Sequence, residues 1–203
     1  MSALQLVPPC ATRTSVLPDE DHAELLGWAL ESESSLRPSR VTGDHYRPQG
    51  RRALSYYGDP PWRQRIVDNI EPLLPGIVEE LQMRPFETSS FEVELVAYTD
   101  QCFIGPHRDT GTGSWRQGED RVISIVYYLY REPIAFSGGV LRLWALSPGS
   151  SGVRASRDIE PIQNGLVAFP SWALHEVLEV KVPSQDFSGS RFAINLWARR
   201  AHQ

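Results

Sequence analysis

Phe91-Glu92-Val93-Glu94-Leu95-Val96-Ala97-Tyr98 is the stretch whose reading decides the fold. Apolar and acidic residues alternate through its first half, the period of two that marks a β-strand with one buried face. Upstream the period is helical. Trp62, Ile66, Val67, Ile70, Leu73, Leu74, Ile77, Val78 and Leu81 recur at helical spacing, and Pro72 and Pro75 divide them into two short helices. Leu25, Leu26, Ala29 and Leu30 form the stripe of an earlier helix over about residues 19–33, opened by the acids Asp19, Glu20 and Asp21. Downstream the strands recur: Phe103-Ile104 leading to His107, then 122–130, 140–145, 166–169, 176–182 and 192–198, separated by segments rich in Gly, Pro, Ser and Asp. Leading helices followed by many short strands predict a mainly β, α+β chain, a double-stranded β-helix or jelly-roll core with the N-terminal helices packed on one sheet.

The totals agree with one domain. With 203 residues the chain suits a single core, expected over 19–203 after an irregular segment at 1–18. A hydrophobic content of 41% with 22% charged residues is that of a globular protein, and the sequence contains no apolar run long enough for a membrane span. Cys10 and Cys102 make neither a disulfide framework nor a zinc spacing, and residues 1–18 lack the basic and apolar pattern of a secretory signal, so a cytoplasmic protein is expected. A net charge of -5 argues against nucleic acid as a partner.

Gly105-Pro106-His107-Arg108-Asp109 carries the chemistry. Two residues apart on extended chain, His107 and Asp109 leave on one face, as a shared metal ion requires. His175, in Ser171-Trp172-Ala173-Leu174-His175-Glu176-Val177, is the downstream partner apart from His202 near the end of the chain. Two imidazoles and one carboxylate on one side of a metal leave other positions open, the arrangement of non-haem Fe(II) oxygenases. His-x-Asp alone is a weak signal, so its surroundings must decide. His22 reads as a solvated polar residue and His45 as a loop histidine.

Those surroundings are dense in motifs: Tyr98 nine residues before His107, Arg121-Val122-Ile123-Ser124-Ile125-Val126-Tyr127-Tyr128-Leu129, Gly138-Gly139-Val140-Leu141-Arg142-Leu143, Asp158-Ile159-Glu160-Pro161, His175-Glu176-Val177 and Ser190-Arg191-Phe192-Ala193-Ile194-Asn195-Leu196-Trp197. In this order they resemble the prolyl 4-hydroxylase-like branch of the Fe(II) and 2-oxoglutarate dependent dioxygenases. The resemblance implies iron held by His107, Asp109 and His175. It further implies 2-oxoglutarate anchored at its far carboxylate by Arg191, with Tyr128, Tyr98 and Asn195 around the co-substrate, and dioxygen as oxidant with ascorbate as an optional reductant. A planar guanidinium can grip a carboxylate through two parallel bonds. Period two puts Arg191, Ala193, Asn195 and Trp197 on one strand face and Ser124, Val126 and Tyr128 on one face of another, with Leu141 and Leu143 as apolar wall. One departure stands out. Sixteen positions separate His175 from Arg191, the excess falling in the turn-rich Pro183–Gly189 segment, which leaves Arg199 or Arg200 as alternative anchors.

The resemblance implies hydroxylation of an unactivated C–H bond coupled to decarboxylation of 2-oxoglutarate to succinate; retention of Asp109 disfavours halogenation. Three readings are open. The leading one is a small-molecule substrate, an amino acid or natural-product intermediate. The second is a prolyl or other residue in a peptide or protein, reached through mobile loops at 34–60, Thr110–Gly113 and 146–157. The third is a non-catalytic metal-binding sensor on the same fold.

Overall fold

The computed structural model describes residues 6–39, 50–110, 118–147 and 154–202. Among them the strands pair into two facing antiparallel sheets. The larger contains β1 (Ala11–Thr14), β2 (Leu36–Pro38), β4 (Leu54–Tyr56), β5 (Ser90–Tyr98), β7 (Glu119–Leu129), β11 (Gly165–Pro170) and β13 (Arg191–Ala201), in the order β1-β11-β7-β13-β5-β4-β2. The smaller runs β10-β9-β12-β6-β3, from β3 (Arg51–Arg52), β6 (Cys102–His107), β9 (Leu141–Trp144), β10 (Ser156–Ile159) and β12 (His175–Lys181), with β8 (Ser137–Gly138) paired to β12. This is the jelly-roll core expected from the alternation.

Period two sorts each strand of the larger sheet into two faces. Ile123, Ile125, Tyr127 and Leu129 of β7, with Phe192, Ile194, Leu196 and Ala198 of β13, pack against α1 (Asp19–Glu31), α2 (Arg63–Ile70) and α3 (Leu74–Glu80). Their alternates, Tyr128 and Ala193 among them, turn to the smaller sheet and, with Phe169 of β11, meet Leu141, Leu143 and Val177. Each fully buried aliphatic side chain contributes about 1.5–3 kcal/mol, so the helices are held by the stripe that the sequence shows rather than by their own short length. The face toward the smaller sheet is where polar groups gather.

A bulge breaks the alternation once. Pairing steps from Ala198↔Ile123 to Arg199↔Arg121, so Val122 is the extra residue; it packs with Ile123 on the helix side and returns Arg121 to the face of Ser124.

Two expectations change. Residues 1–18 are not wholly irregular, because Ala11–Thr14 pairs antiparallel with β11 from Ala11↔Ala168 to Thr14↔Gly165. A strand of four residues with two threonines and an arginine carries no apolar alternation, and its register comes from the edge that it covers. Nor is His22 a solvated residue. Its Nδ1 is 2.6 Å from the Tyr127 hydroxyl, which donates to Asn164 Oδ1 at 3.0 Å, and Asn164 also clasps the backbone N–H and C=O of Leu17. With the phenol proton committed to Asn164, His22 must donate from Nδ1, and burial lowers its pKa. The long Pro183–Gly189 segment is a loop ending in a 3-10 turn, Phe187–Gly189, so Arg191 opens β13 as the motif requires. His45, residues 111–113 and Pro148–Gly152 lie outside the described residues. No helix among the described residues is long and apolar enough to cross a membrane.

Candidate active site

His107 closes β6, His175 opens β12, and the register makes them cross-strand partners with ring centroids 4.1 Å apart. Each Nδ1 lies 2.9 Å from the carbonyl oxygen two residues back, Gly105 for His107 and Ala173 for His175. A carbonyl only accepts, so Nδ1 carries the proton in both rings and both Nε2 atoms keep a free lone pair. Both point at one carboxylate: His107 Nε2 is 3.6 Å from Asp109 Oδ1, and His175 Nε2 is 3.6 Å from Asp109 Oδ2. One ligand atom from each of the three residues lies within 4.8 Å of the others, close enough for a single ion.

Asp109 is held from several sides. Its N–H and that of Thr110 both donate to the Ser171 carbonyl, at 3.0 and 3.2 Å, and the Ser124 hydroxyl donates to Oδ2 at 2.6 Å. Burial alone would push the carboxyl up, yet the imidazoles of His175 and His107, when they carry a second proton, and the Ser124 hydroxyl hold it well below the usual carboxylate range. It is a fixed anion. Burial, reinforced by His107, pushes His175 down to about 4. A histidine with pKa near 4 when folded and 6.5 when unfolded binds fewer protons in the fold across that window, so stability is lost as pH falls from 6.5 toward 4. Urea melts of the metal-free protein are expected to show a loss on the order of 2 kcal/mol between pH 7 and pH 5 that His175→Ala largely removes.

At the other end of the cup lies a buried cation. Arg191 has no solvent exposure, and among the described residues Nε, Nη1 and Nη2 find no hydrogen-bond partner. The guanidinium carbon is 4.5 Å from the Tyr98 ring and 4.8 Å from the Tyr128 ring; the Tyr128 hydroxyl is also without a partner, and burial pushes it up to about 12. Tyr128 is therefore a donor at neutral pH. Ser124, beside Asp109, and Tyr128, beside Arg191, are four residues apart on one face of β7, about 13 Å of strand. Between them a bound dicarboxylate could touch the metal with one end and the guanidinium with the other. The apolar walls Leu141 and Leu143 are buried as expected. Asn195 sits mid-way, paired with Val126 and Glu94 across the sheet. Arg199 pairs with Glu119 at 3.2 Å, which removes it as an alternative anchor. His202, 3.2 Å from Asp120, is likewise occupied away from the metal cluster.

Sequence reading missed three residues here. Ser124 and Ser171 steer the carboxylate, and nothing in a serine's neighbours along the chain foretells that. Gly139 is the third. It has φ +70°, and a Cβ there would stand 2.7 Å from Arg191 Cδ and 2.9 Å from Val180 Cγ2, so Gly139 makes room for the arginine stem, while its neighbour Gly138 makes room for the Glu179 carbonyl. Gly139→Ala is expected to displace the guanidinium and raise the 2-oxoglutarate requirement roughly 10- to 100-fold, measured as the half-saturating concentration in a ligand-induced thermal shift.

Trp197 lies across the sheet from Ser124, and the Arg121 guanidinium stacks 3.8 Å over its ring while pairing with Glu92.

Comparison with known proteins gives this geometry its context. Residues 93–199, just over half of the chain, match the family model of the 2OG-Fe(II) oxygenase superfamily. An uncharacterised PKHD-type hydroxylase of Synechocystis sp. is 31% identical over 187 residues, 91% of this chain; the chain spans 61% of that relative's length. Among solved structures, a Pseudomonas putida prolyl-4-hydroxylase superposes with a TM-score of 0.66 at 24% identity, covering 95% of this chain and 93% of that one. A Trichoplax adhaerens prolyl hydroxylase, solved with a peptide fragment of the hypoxia inducible factor oxygen degradation domain, gives 0.67 at 16% identity, covering 94% and 83%.

Proposed function

The chain belongs to the 2OG-Fe(II) oxygenase superfamily, and from that premise we propose that it is an Fe(II)- and 2-oxoglutarate-dependent hydroxylase acting on a prolyl-type C–H bond in a peptide. The observation that carries the reaction is the pairing of the His107, Asp109 and His175 cluster with the partnerless, fully buried guanidinium of Arg191 in the same cup. An isolated buried cation is strongly unfavourable unless an anion answers it, and a carboxylate answers it with two parallel bonds.

Fe(II) with 2-oxoglutarate and dioxygen supplies, when bound, the oxidant for the C–H bond, and the co-substrate leaves as succinate and carbon dioxide. The remaining work belongs to the chain. His107 and His175 present Nε2 because their Nδ1 protons are held by backbone carbonyls. Asp109 is kept anionic. Arg191 and the Tyr128 hydroxyl bind and orient the far carboxylate, and Leu141 and Leu143 keep water from its carbon chain.

The peptide reading rests on the relatives, whose names speak of prolyl hydroxylases and, in one case, of a bound peptide. A second reading, hydroxylation of a small zwitterion such as an amino acid, draws on two ion pairs, Glu92 with Arg121 and Arg51 with Glu94, whose acids share one face of β5. The test uses protein purified without oxygen and loaded with Fe(II). Succinate should form slowly from 2-oxoglutarate alone and faster with the right substrate class, offered as proline-containing peptides or as free amino acids and followed by a mass gain of one oxygen. Stimulation by amino acids alone would replace the peptide reading, and no succinate under any condition would sink both.

A further inference from the structure

Asp109 has one contact that metal binding does not explain. Oδ2 accepts from Ser124 Oγ at 2.6 Å, and Ser124 Oγ lies 2.9 Å from Ser171 Oγ. Both serines are buried, at 2% and 0% exposure. The direction of this chain is forced. An ionised carboxylate only accepts, so Ser124 gives its proton to Asp109, and Ser171 must then donate to Ser124. Ser171 is itself fixed by its backbone, whose carbonyl takes the N–H groups of Asp109 and Thr110 while its own N–H donates to Val122. It stands four residues before His175, so one residue ties the first half of the ligand motif to the second.

We propose that Ser171 and Ser124 form a positioning relay that holds Asp109 to the metal through a single oxygen. The proposal rests on the metal-centre reading above and adds a role that the ligands cannot fill themselves. A carboxylate free to rotate can chelate one ion with both oxygens. On a six-coordinate ion with two imidazoles, that would leave two open positions rather than three, one fewer than a bidentate co-substrate and dioxygen need together. Occupying Oδ2 with a short, charge-assisted hydrogen bond disfavours the second contact. Outer-shell partners of this kind typically change metal affinity by about 10–100-fold.

The experiment uses Mn(II), which binds without redox chemistry, and reads two quantities: its dissociation constant and the water-proton relaxivity of the bound ion, which follows the number of exchangeable waters. In Ser124→Ala the relaxivity is expected to fall by about a third as the second oxygen takes a water's place, or the affinity to weaken by about 10–100-fold as the carboxylate swings away. Ser124→Thr, which keeps the hydroxyl, should restore wild-type values. Ser171→Ala should move the same quantity less far, and the double variant should be no worse than Ser124→Ala, because the two act in series. Should Ser124→Ala not fold, Ser171→Ala carries the test on the same two readings. Unchanged affinity and unchanged relaxivity in a folded variant overturn the relay, and strictly additive effects overturn its serial order. Failure of the wild-type protein to bind Mn(II) at all would instead strike the metal-centre reading, with His107→Ala as the reference for a destroyed site.

Discussion

Arg191→Met is expected to raise the 2-oxoglutarate concentration for half-maximal turnover by about 30-fold or more, while making the protein without co-substrate harder to unfold in urea. The two effects have one cause. All three guanidinium nitrogens are buried and, among the described residues, without a hydrogen-bond partner, with the Tyr98 and Tyr128 rings beside them. Truncating one member of a buried, hydrogen-bonded charge pair costs about 2–5 kcal/mol of binding, which is the fold-change quoted. Replacing a buried charge by an apolar chain of similar length relieves desolvation, on the order of 1–4 kcal/mol. Saturating 2-oxoglutarate should narrow that difference, since ligand at about 100 times its dissociation constant stabilises the wild-type native state by about 2.7 kcal/mol and the weaker-binding variant by less. An unchanged co-substrate requirement in a folded Arg191→Met protein would remove the anchor assignment, whatever became of the iron.

The second large effect belongs to the ligands. Asp109→Ala and His175→Ala are each expected to abolish succinate formation and to weaken Mn(II) binding beyond the about 10–100-fold loss typical of outer-shell changes. The fold should survive both. His175→Ala removes an imidazole whose low pKa marks it as poorly accommodated when charged, and Asp109→Ala gives up a stabilised carboxylate just beyond the end of β6 while leaving the pairing of both sheets in place. Circular dichroism and urea midpoints check the fold, and isothermal titration with Mn(II) checks the site. Near wild-type binding by either variant would place the ion elsewhere.

What could be read from the residues and what could not divides along a physical line. Strand faces are legible because side chains alternate with a period of two, so Arg191, Asn195 and Trp197 fall on one face of β13. The metal ligands were legible through the family resemblance of the surrounding motifs, His-x-Asp alone being a weak signal; the structure adds the cross-strand pairing of His107 with His175 and a bend at Asp109 just past β6. The polar contacts that steer those ligands were not. Ser124 and Ser171 are 47 positions apart, and Asn164 clasps Leu17 across 147. Such contacts follow from the packing of two sheets, and no local pattern encodes them. Arg121 is a third kind of case. Strict alternation would put it with Ile123 on the helix side, and only the extra residue at Val122 carries it to Trp197. His22 misled for a simpler reason: an amphipathic helix shows which face is buried but not that a tyrosine on the sheet beneath will seek its ring nitrogen.

The pairing of Ala11–Thr14 with β11 has a consequence for handling the protein. All six residues of β11 are buried, and β1 occupies its outer hydrogen-bonding groups. Trimming the chain back past Thr14 would strip that cover and leave a bare apolar ribbon with unsatisfied amides, a template onto which a second molecule can zip. Such a shortened protein should therefore cluster and precipitate with rising concentration even while its iron and acid pockets stay intact.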